Sequence, residues 1–338
     1  MNLYGLTKEE LEQYFVSIGE KKFKATQVFE WLYQKRVTTI EEFSNIKKEV
    51  REQLQKDFSL ELPKVIKREI DTDVEKYLFE LSDNERIEAV LMRHNYGLSV
   101  CVSSQVGCNM GCKFCESGRL KKVRNLEAHE MVGQILVIES LIKERISSVV
   151  IMGIGEPLDN YENVIRFIKI INDAKGIQIG ARHITLSTCG LIPKIKELSE
   201  LDIQINLAIS LHAPNDNLRS EIMPINKAYP LQDLMEAIKE YIKKTNRRVT
   251  MEYILLKGVN DQKKHAKELA NLLRGMNVYV NLIPYNETNH IEFQKSDKET
   301  IDAFYRELQK EKIQVTVRRE FGSSISAACG QLRSKEIK

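Results

Sequence analysis

The chain has 338 residues, 42% hydrophobic and 29% charged, with a formal net charge of +3, enough for one large domain, or a large one and a small one, around a sizeable core. No apolar stretch is long enough to span a bilayer, and the opening MNLYGLTKEELEQYF carries acids early with no apolar h-region, which predicts no signal peptide. Six cysteines, three of them clustered, do not make a secreted disulfide framework, so a reducing cytoplasm is expected.

Residues 1–63 read as a small helical domain. Thr7 and Glu10 form a capping box ahead of apolar residues at helical spacing. KATQVFEWLYQK and TTIEEFSNIKKEVREQLQKDF carry that spacing on to Leu62-Pro63. At 64–97 the period changes to two. KVIKREIDTDVEKYLFELSDNERIEAVLMRH alternates apolar and polar positions, with turn signals at Asp71–Asp73 and Ser82–Asn84. This predicts an antiparallel β-hairpin extension. From 98 to 338, strand-like runs (LSVCVSSQ, SSVVIMGIG, HITLSTCG, INLAISLHA, VTMEYILLKG, VYVNLIPYN, IQVTVRRE) alternate with helical ones such as LEAHEMVGQILVIESLIKER and LQDLMEAIKEYIKK. Repeated β-then-α units with right-handed crossovers predict a parallel α/β sheet. About six units are too few for an eight-stranded closed barrel and suit a partial (β/α)6-type barrel, with its active site at the C-terminal ends of the strands.

The most informative feature is the run VGCNMGCKFCESG, which holds Cys108, Cys112 and Cys115. A structural zinc site wants four protein ligands in closed tetrahedral geometry. Three thiolates with no fourth nearby suit a 4Fe-4S cluster that keeps one iron open to a small molecule. A zinc knuckle completed by a distant residue is the alternative. Polar motifs end later strands: MGIGEP (Met152–Pro157), STCG (Ser187–Gly190), SLHAPND (Ser210–Asp216) and IPYN (Ile283–Asn286). Gly153 and Gly155 would let backbone approach a ligand closely, and Glu156 would offer an acceptor for an ammonium group. Taken singly each motif is a turn or cap; together on one rim they read as a cofactor pocket. Cys189 reads as pocket wall. Cys101 lies on a strand, and Cys329, flanked by small residues, is expected in an accessible loop where a thiol can act as a nucleophile. Positive charge is clumped, and the run Arg119, Lys121, Lys122, Arg124 directly after the triad points to a polyanionic substrate.

CxxxCxxC resembles the signature of the radical S-adenosylmethionine (SAM) superfamily. VSSQVGCNMGCKFC, followed in order by RNL, MGIGEP, LSTCGLIP, SLHAPND, MPIN, ILLKGVND, NLIPYN and AACGQL, resembles the RlmN/Cfr family of radical-SAM RNA methyltransferases, and QVFEWLY resembles its accessory helical domain. The resemblance implies one 4Fe-4S cluster on Cys108, Cys112 and Cys115, and two SAM molecules per turnover. It implies SAM contacts from Gly155, Glu156, Ser187, Ser210, Leu211, His212 and Asn286. It implies Cys329 as the S-methylated residue, Cys101 as its resolving partner and Glu88 as proton acceptor, so that a transient disulfide forms. The expected reaction is methylation of adenine carbon 2 in the peptidyl-transferase region of 23S rRNA, and of the adenine 3′ of the anticodon in tRNA. The expected partners are those RNAs and an electron donor such as flavodoxin or ferredoxin, with no membrane, for a monomeric cytoplasmic enzyme. A Cfr-like carbon-8 methyltransferase is the alternative within the family; a zinc-stabilised RNA-binding protein, or a radical-SAM enzyme acting on a small molecule or protein, lies outside it. The chain departs from the family pattern at Ser324 and Ser326, where acids are usual, and at Glu116, where a small or neutral residue is usual.

Overall fold

The computed structural model describes residues 1–288 and 291–318. The helical start consists of α1 (Lys8–Ser17), α2 (Phe23–Phe29) and α3 (Lys48–Asp57). The Thr7 hydroxyl accepts from Glu10 N–H at 3.2 Å and the Glu10 carboxylate accepts from Thr7 N–H at 2.9 Å, the reciprocal pairing the capping box requires. The QVFEWLYQ stretch does not stay α-helical: α2 passes into a π-helical turn over Glu30–Gln34. Leu11, Phe15, Val28, Phe29, Leu32, Phe43 and Leu54 turn inward and join the core of the rest of the chain.

Three antiparallel strands follow, β1 (Lys64–Ile70), β2 (Val74–Glu80) and β3 (Arg86–His94), then β4 (Gly97–Cys101). Both forecast turn sites separate strands, and Asn84 takes φ +65°, a conformation Asn tolerates better than most side chains. These strands extend the sheet at one end. They continue into one ten-stranded sheet with β7 (Ile146–Ile151), β8 (Ile184–Thr188), β9 (Asn206–Ser210), β10 (Val249–Leu255), β11 (Val278–Pro284) and β12 (Val315–Val317). From β4 to β12 every ladder in this sheet is parallel. No ladder joins the two ends of the sheet among the described residues, so the barrel is open. A two-rung ladder of β5 (Gln105–Val106) and β6 (Arg124–Asn125) closes the base of the cysteine loop.

Helices α4 (Ala128–Ile142), α5 (Tyr161–Asn172), α6 (Ile192–Leu198), α7 (Asp216–Ile222), α8 (Leu231–Thr245), α9 (Lys263–Leu273) and α10 (Lys298–Lys310) intervene between the strands. The sheet's two faces are separate environments. Tyr77, Phe79, Ile87, Ala89, Leu91 and Val100 belong to the main core with the helices, whereas Val74, Val90, Met92 and Ile154 form a small cluster with Cys101 and Val150 on the opposite face. Alternation along a strand dictates this split. No described helix is long and apolar enough to cross a membrane.

Candidate active site

The cysteine loop leaves β5 and is pinned by backbone bonds from Cys108 N–H to Leu120 O at 3.0 Å and from Lys113 N–H to Ile222 O at 2.9 Å. Cys108, Cys112 and Cys115 then line one cavity of ≈ 140 Å³ together with Gly155, Glu156, Ser187, Cys189, Ser210 and His212. The cavity lies at the C-terminal ends of β7 to β9, as parallel α/β architecture favours. Its wall is an apolar cluster of Phe114, Met223, Ile254 and Ile283. Burial pushes the Cys108 thiol up to about 12 and drives Cys112 well above the ordinary thiol range. Among the described residues no three His, Cys, Asp or Glu side chains close on a single-ion centre.

Glu156 is a buried carboxylate whose Oε1 accepts from Leu158 N–H at 3.0 Å and whose Oε2 accepts from Cys189 N–H at 2.8 Å. Burial raises its pKa above the usual carboxylate value, and those hydrogen bonds oppose the rise. The Thr188 and Cys189 side chains hydrogen-bond the same carboxylate, so an ammonium donor would share its acceptor sites with these neighbours. Ser187 Oγ and Ser210 Oγ stand 3.5 Å apart on neighbouring strands. His212 Nδ1 accepts from Ile254 N–H at 3.1 Å, which assigns the ring proton to Nε2. Burial drives its pKa down to about 3, so the imidazole is neutral and acts as a hydrogen-bond donor.

Two contributors had no sequence reading. Glu252 lines the cavity with Arg318, and its Oε2 accepts from Asn281 Nδ2 at 2.9 Å. Burial raises its pKa. A glutamate inside the apolar run VTMEYILL was the available signal, since it shares a face with Thr250 and Ile254. Arg219, fully buried, donates to the carbonyls of Cys189 (2.7 Å), Leu211 (3.2 Å) and Ser210 (3.3 Å) and to Asn226 Oδ1 (2.8 Å). It ties the ends of β8 and β9 behind the cavity wall; nothing in its sequence context marks it as buried.

Not every expected site residue faces the cavity. Leu211 packs its side chain in the main core, and its N–H and C=O are committed to Glu252 O and Arg219. Asn286 is buried but is not part of the cavity lining. Both glycines of the pair line the cavity, and both also pack tightly behind it. A Cβ on Gly153 would lie 2.7 Å from Ser103 N, and one on Gly155, at φ +109°, would lie 2.6 Å from Gln105 Cβ. Close packing on the strand-end segment 102–105 requires these glycines. In the basic run, Lys122 pairs with Asp159 at 2.7 Å, and Arg124 with Asp83 at 2.6 Å and Glu130 at 2.8 Å, so two of its cations are neutralised internally.

Glu88 and Cys101 lie on adjacent strands. One register row crosses the sheet as Glu69, Lys76, Val90, Cys101 and Val150. Glu88 is two residues from Val90, toward the cavity end, so its side chain shares the face of Lys76 and Cys101. Ser103 Oγ donates to Glu88 O at 2.6 Å. Cys329, Ser324 and Ser326 lie outside the described residues.

The profile of the Radical SAM superfamily matches residues 102–270, and that of the ribosomal RNA large subunit methyltransferase N-terminal domain matches residues 1–60. A probable dual-specificity RNA methyltransferase RlmN of Enterococcus faecalis is 55% identical over 100% of this chain and 97% of its own length. The chain belongs to the RlmN family. A relative of the same name from Spiroplasma citri is 53% identical over 99% of this chain and 97% of its own. A crystal structure of a radical SAM methyltransferase from Sphaerobacter thermophilus superposes with a TM-score of 0.92 at 41% identity, covering 98% of this chain and 99% of that one. As an RlmN-family radical-SAM RNA methyltransferase the chain uses a 4Fe-4S cluster and SAM, two SAM per turnover. The donor set fits both: three thiols on one cavity wall for the cluster, and a carboxylate, two hydroxyls and a neutral imidazole on the same cavity for SAM.

Proposed function

We propose that this enzyme methylates carbon 2 of an adenine in the peptidyl-transferase region of 23S rRNA, and the adenine 3′ of the anticodon in tRNA, through an S-methylated Cys329. The supporting observation is the shared face of Glu88 and Cys101 on adjacent strands, within the same sheet whose strand ends carry the three-thiol cavity. A proton acceptor and a thiol are the two groups that this reaction needs beyond a methyl carrier.

Carbon 2 of adenine is not nucleophilic, so polar transfer from SAM fails there; the bound cluster and SAM supply methyl-donating and one-electron cleavage chemistry. Cys108, Cys112 and Cys115 hold the cluster. Gly155, Glu156, Ser187, Ser210 and His212 hold SAM from the cavity lining, with Glu156 offering charge to its ammonium group and His212 donating from Nε2; Leu211 and Asn286 belong to the proposed contact set from outside that lining. Cys329 carries the methyl group to the ring and holds the RNA covalently. Glu88 accepts the proton displaced from carbon 2. The Cys101 thiolate then attacks the Cys329 sulfur and frees the product, leaving a disulfide that a reducing cytoplasm reopens. The target base must leave its stack, which suits a loop nucleotide. The division of labour we propose is a helical accessory domain (1–63), a β extension (64–97) and a catalytic domain (98–338).

Cys101→Ala should trap a protein–RNA adduct visible on a denaturing gel, and Cys329→Ala should form none. Normal turnover by Cys101→Ala with no adduct would remove the resolving role.

A further inference from the structure

Lys76 sits in the middle of β2, 7% exposed, where an ammonium is costly unless partnered. Its Nζ lies 2.8 Å from Glu69 Oε2 on β1 and 3.7 Å from Glu88 Oε1 on β3. Glu69 is the direct register partner of Lys76 and its side chain is 31% exposed, so it anchors the lysine from the solvent side. Glu88 is 3% exposed. A buried carboxylate without a cation drifts toward its neutral form, because burial penalises charge. This molecule provides internal examples: burial raises the pKa of Glu156 and of Glu252. A carboxylate that must accept a proton cannot rest in that state.

We propose that Lys76 is a positioning residue that keeps Glu88 ionised and orients it for proton abstraction, with Glu69 holding the lysine in place. The inference rests on the reading of Glu88 as proton acceptor. In the step concerned, the carboxylate takes the carbon-2 proton and becomes a carboxylic acid, while the C–H bonding pair stays with the ring. Lys76 exchanges no proton; it lowers the energy of the starting carboxylate. Charged and titratable groups on the flanking strands include Glu69 and Lys67 from β1, Cys101 from β4, and Arg86 and Glu80 at the hairpin end, the last two 3.7 Å apart.

The test isolates this step. In a Cys101→Ala background, the full-length enzyme loaded with cluster and SAM is given a 23S rRNA transcript carrying deuterium at carbon 2, and deuterium loss is followed against pH. An opposite charge at this range lowers a carboxylate pKa by about 1–3 units. Lys76→Met should therefore move the acid limb of the profile upward by about 1–3 pH units, and Lys76→Arg should restore it. The double variant Lys76→Met/Glu69→Gln leaves no uncompensated Glu69 and should show the same direction of shift, which covers a folding failure of the single variant. A wild-type profile in a folded Lys76→Met or in the double variant overturns the proposal. Glu88→Gln separates the two levels: if it stops deuterium loss, the proton-acceptor reading stands whatever Lys76 does. If Glu88→Gln loses deuterium normally, that reading falls and the lysine's role with it.

Discussion

Gly155→Ala asks what the second glycine of MGIGEP is for. A ligand-contact role places its cost in SAM affinity. The packing places it in the stability of the protein without cofactor, because the new methyl would sit 2.6 Å from Gln105 Cβ and 2.9 Å from Gln105 N, at a φ of +109°. A non-glycine residue held in such backbone costs about 1–3 kcal/mol, and an overpacked methyl costs about 1–3 kcal/mol more. The variant should thus lose about 2–6 kcal/mol, a large part of the roughly 5–15 kcal/mol that holds a folded protein. Gly258→Ala is the control: its φ is +72° but no heavy atom lies within 4 Å of the new Cβ. It should lose only the left-handed penalty of about 1–2 kcal/mol, less the roughly 0.4–1 kcal/mol returned by a stiffer unfolded chain. Urea unfolding of the cofactor-free protein measures both variants through the midpoint at constant slope. If Gly155→Ala matched Gly258→Ala in stability and lost only SAM affinity, the packing argument would be wrong.

Two further outcomes follow from the site. His212 has a folded pKa near 3 against an ordinary 6.5, so between those values the unfolded chain binds the proton and the folded chain does not. Stability is present above the unfolded value and falls as pH drops, by roughly 2 kcal/mol from about pH 7 to about pH 5. His212→Asn tolerates the positive φ of +58° and keeps an acceptor for Ile254 N–H without titrating; urea midpoints at the two pH values should show that part of the slope gone, and an unchanged slope contradicts the assignment. In the basic run, Lys121→Ala should reduce the salt slope of RNA affinity by about one. Lys122→Ala should change the slope less because Lys122 is already paired with Asp159, and equal slopes for the two variants would contradict that pairing in solution.

The parallel sheet was legible because β-branched runs separated by helical periods leave few topologies open. The triad and strand-end motifs were legible as a constellation, and the structure gathers eight of those site residues on one cavity. What escaped has physical reasons. The π-helical turn at Glu30–Gln34 has the same apolar spacing as a helix. The contact of the glycine pair with segment 102–105 was hidden because a sequence cannot say which backbone a missing Cβ makes room for. Lys122 and Arg124 looked available to a polyanion because their partners Asp159, Asp83 and Glu130 are distant in the chain or hidden in a helix. The burial of Arg219 and Lys76 left no mark in the sequence because charge burial depends on tertiary partners.

The most direct test of the account is mass spectrometry of nucleosides from the 23S rRNA and tRNA of cells with and without this gene. The account predicts 2-methyladenosine in both RNAs, lost on deletion and restored by the wild-type chain but not by Cys329→Ala. Loss of 8-methyladenosine instead, or an unchanged 2-methyladenosine content on deletion, would contradict it.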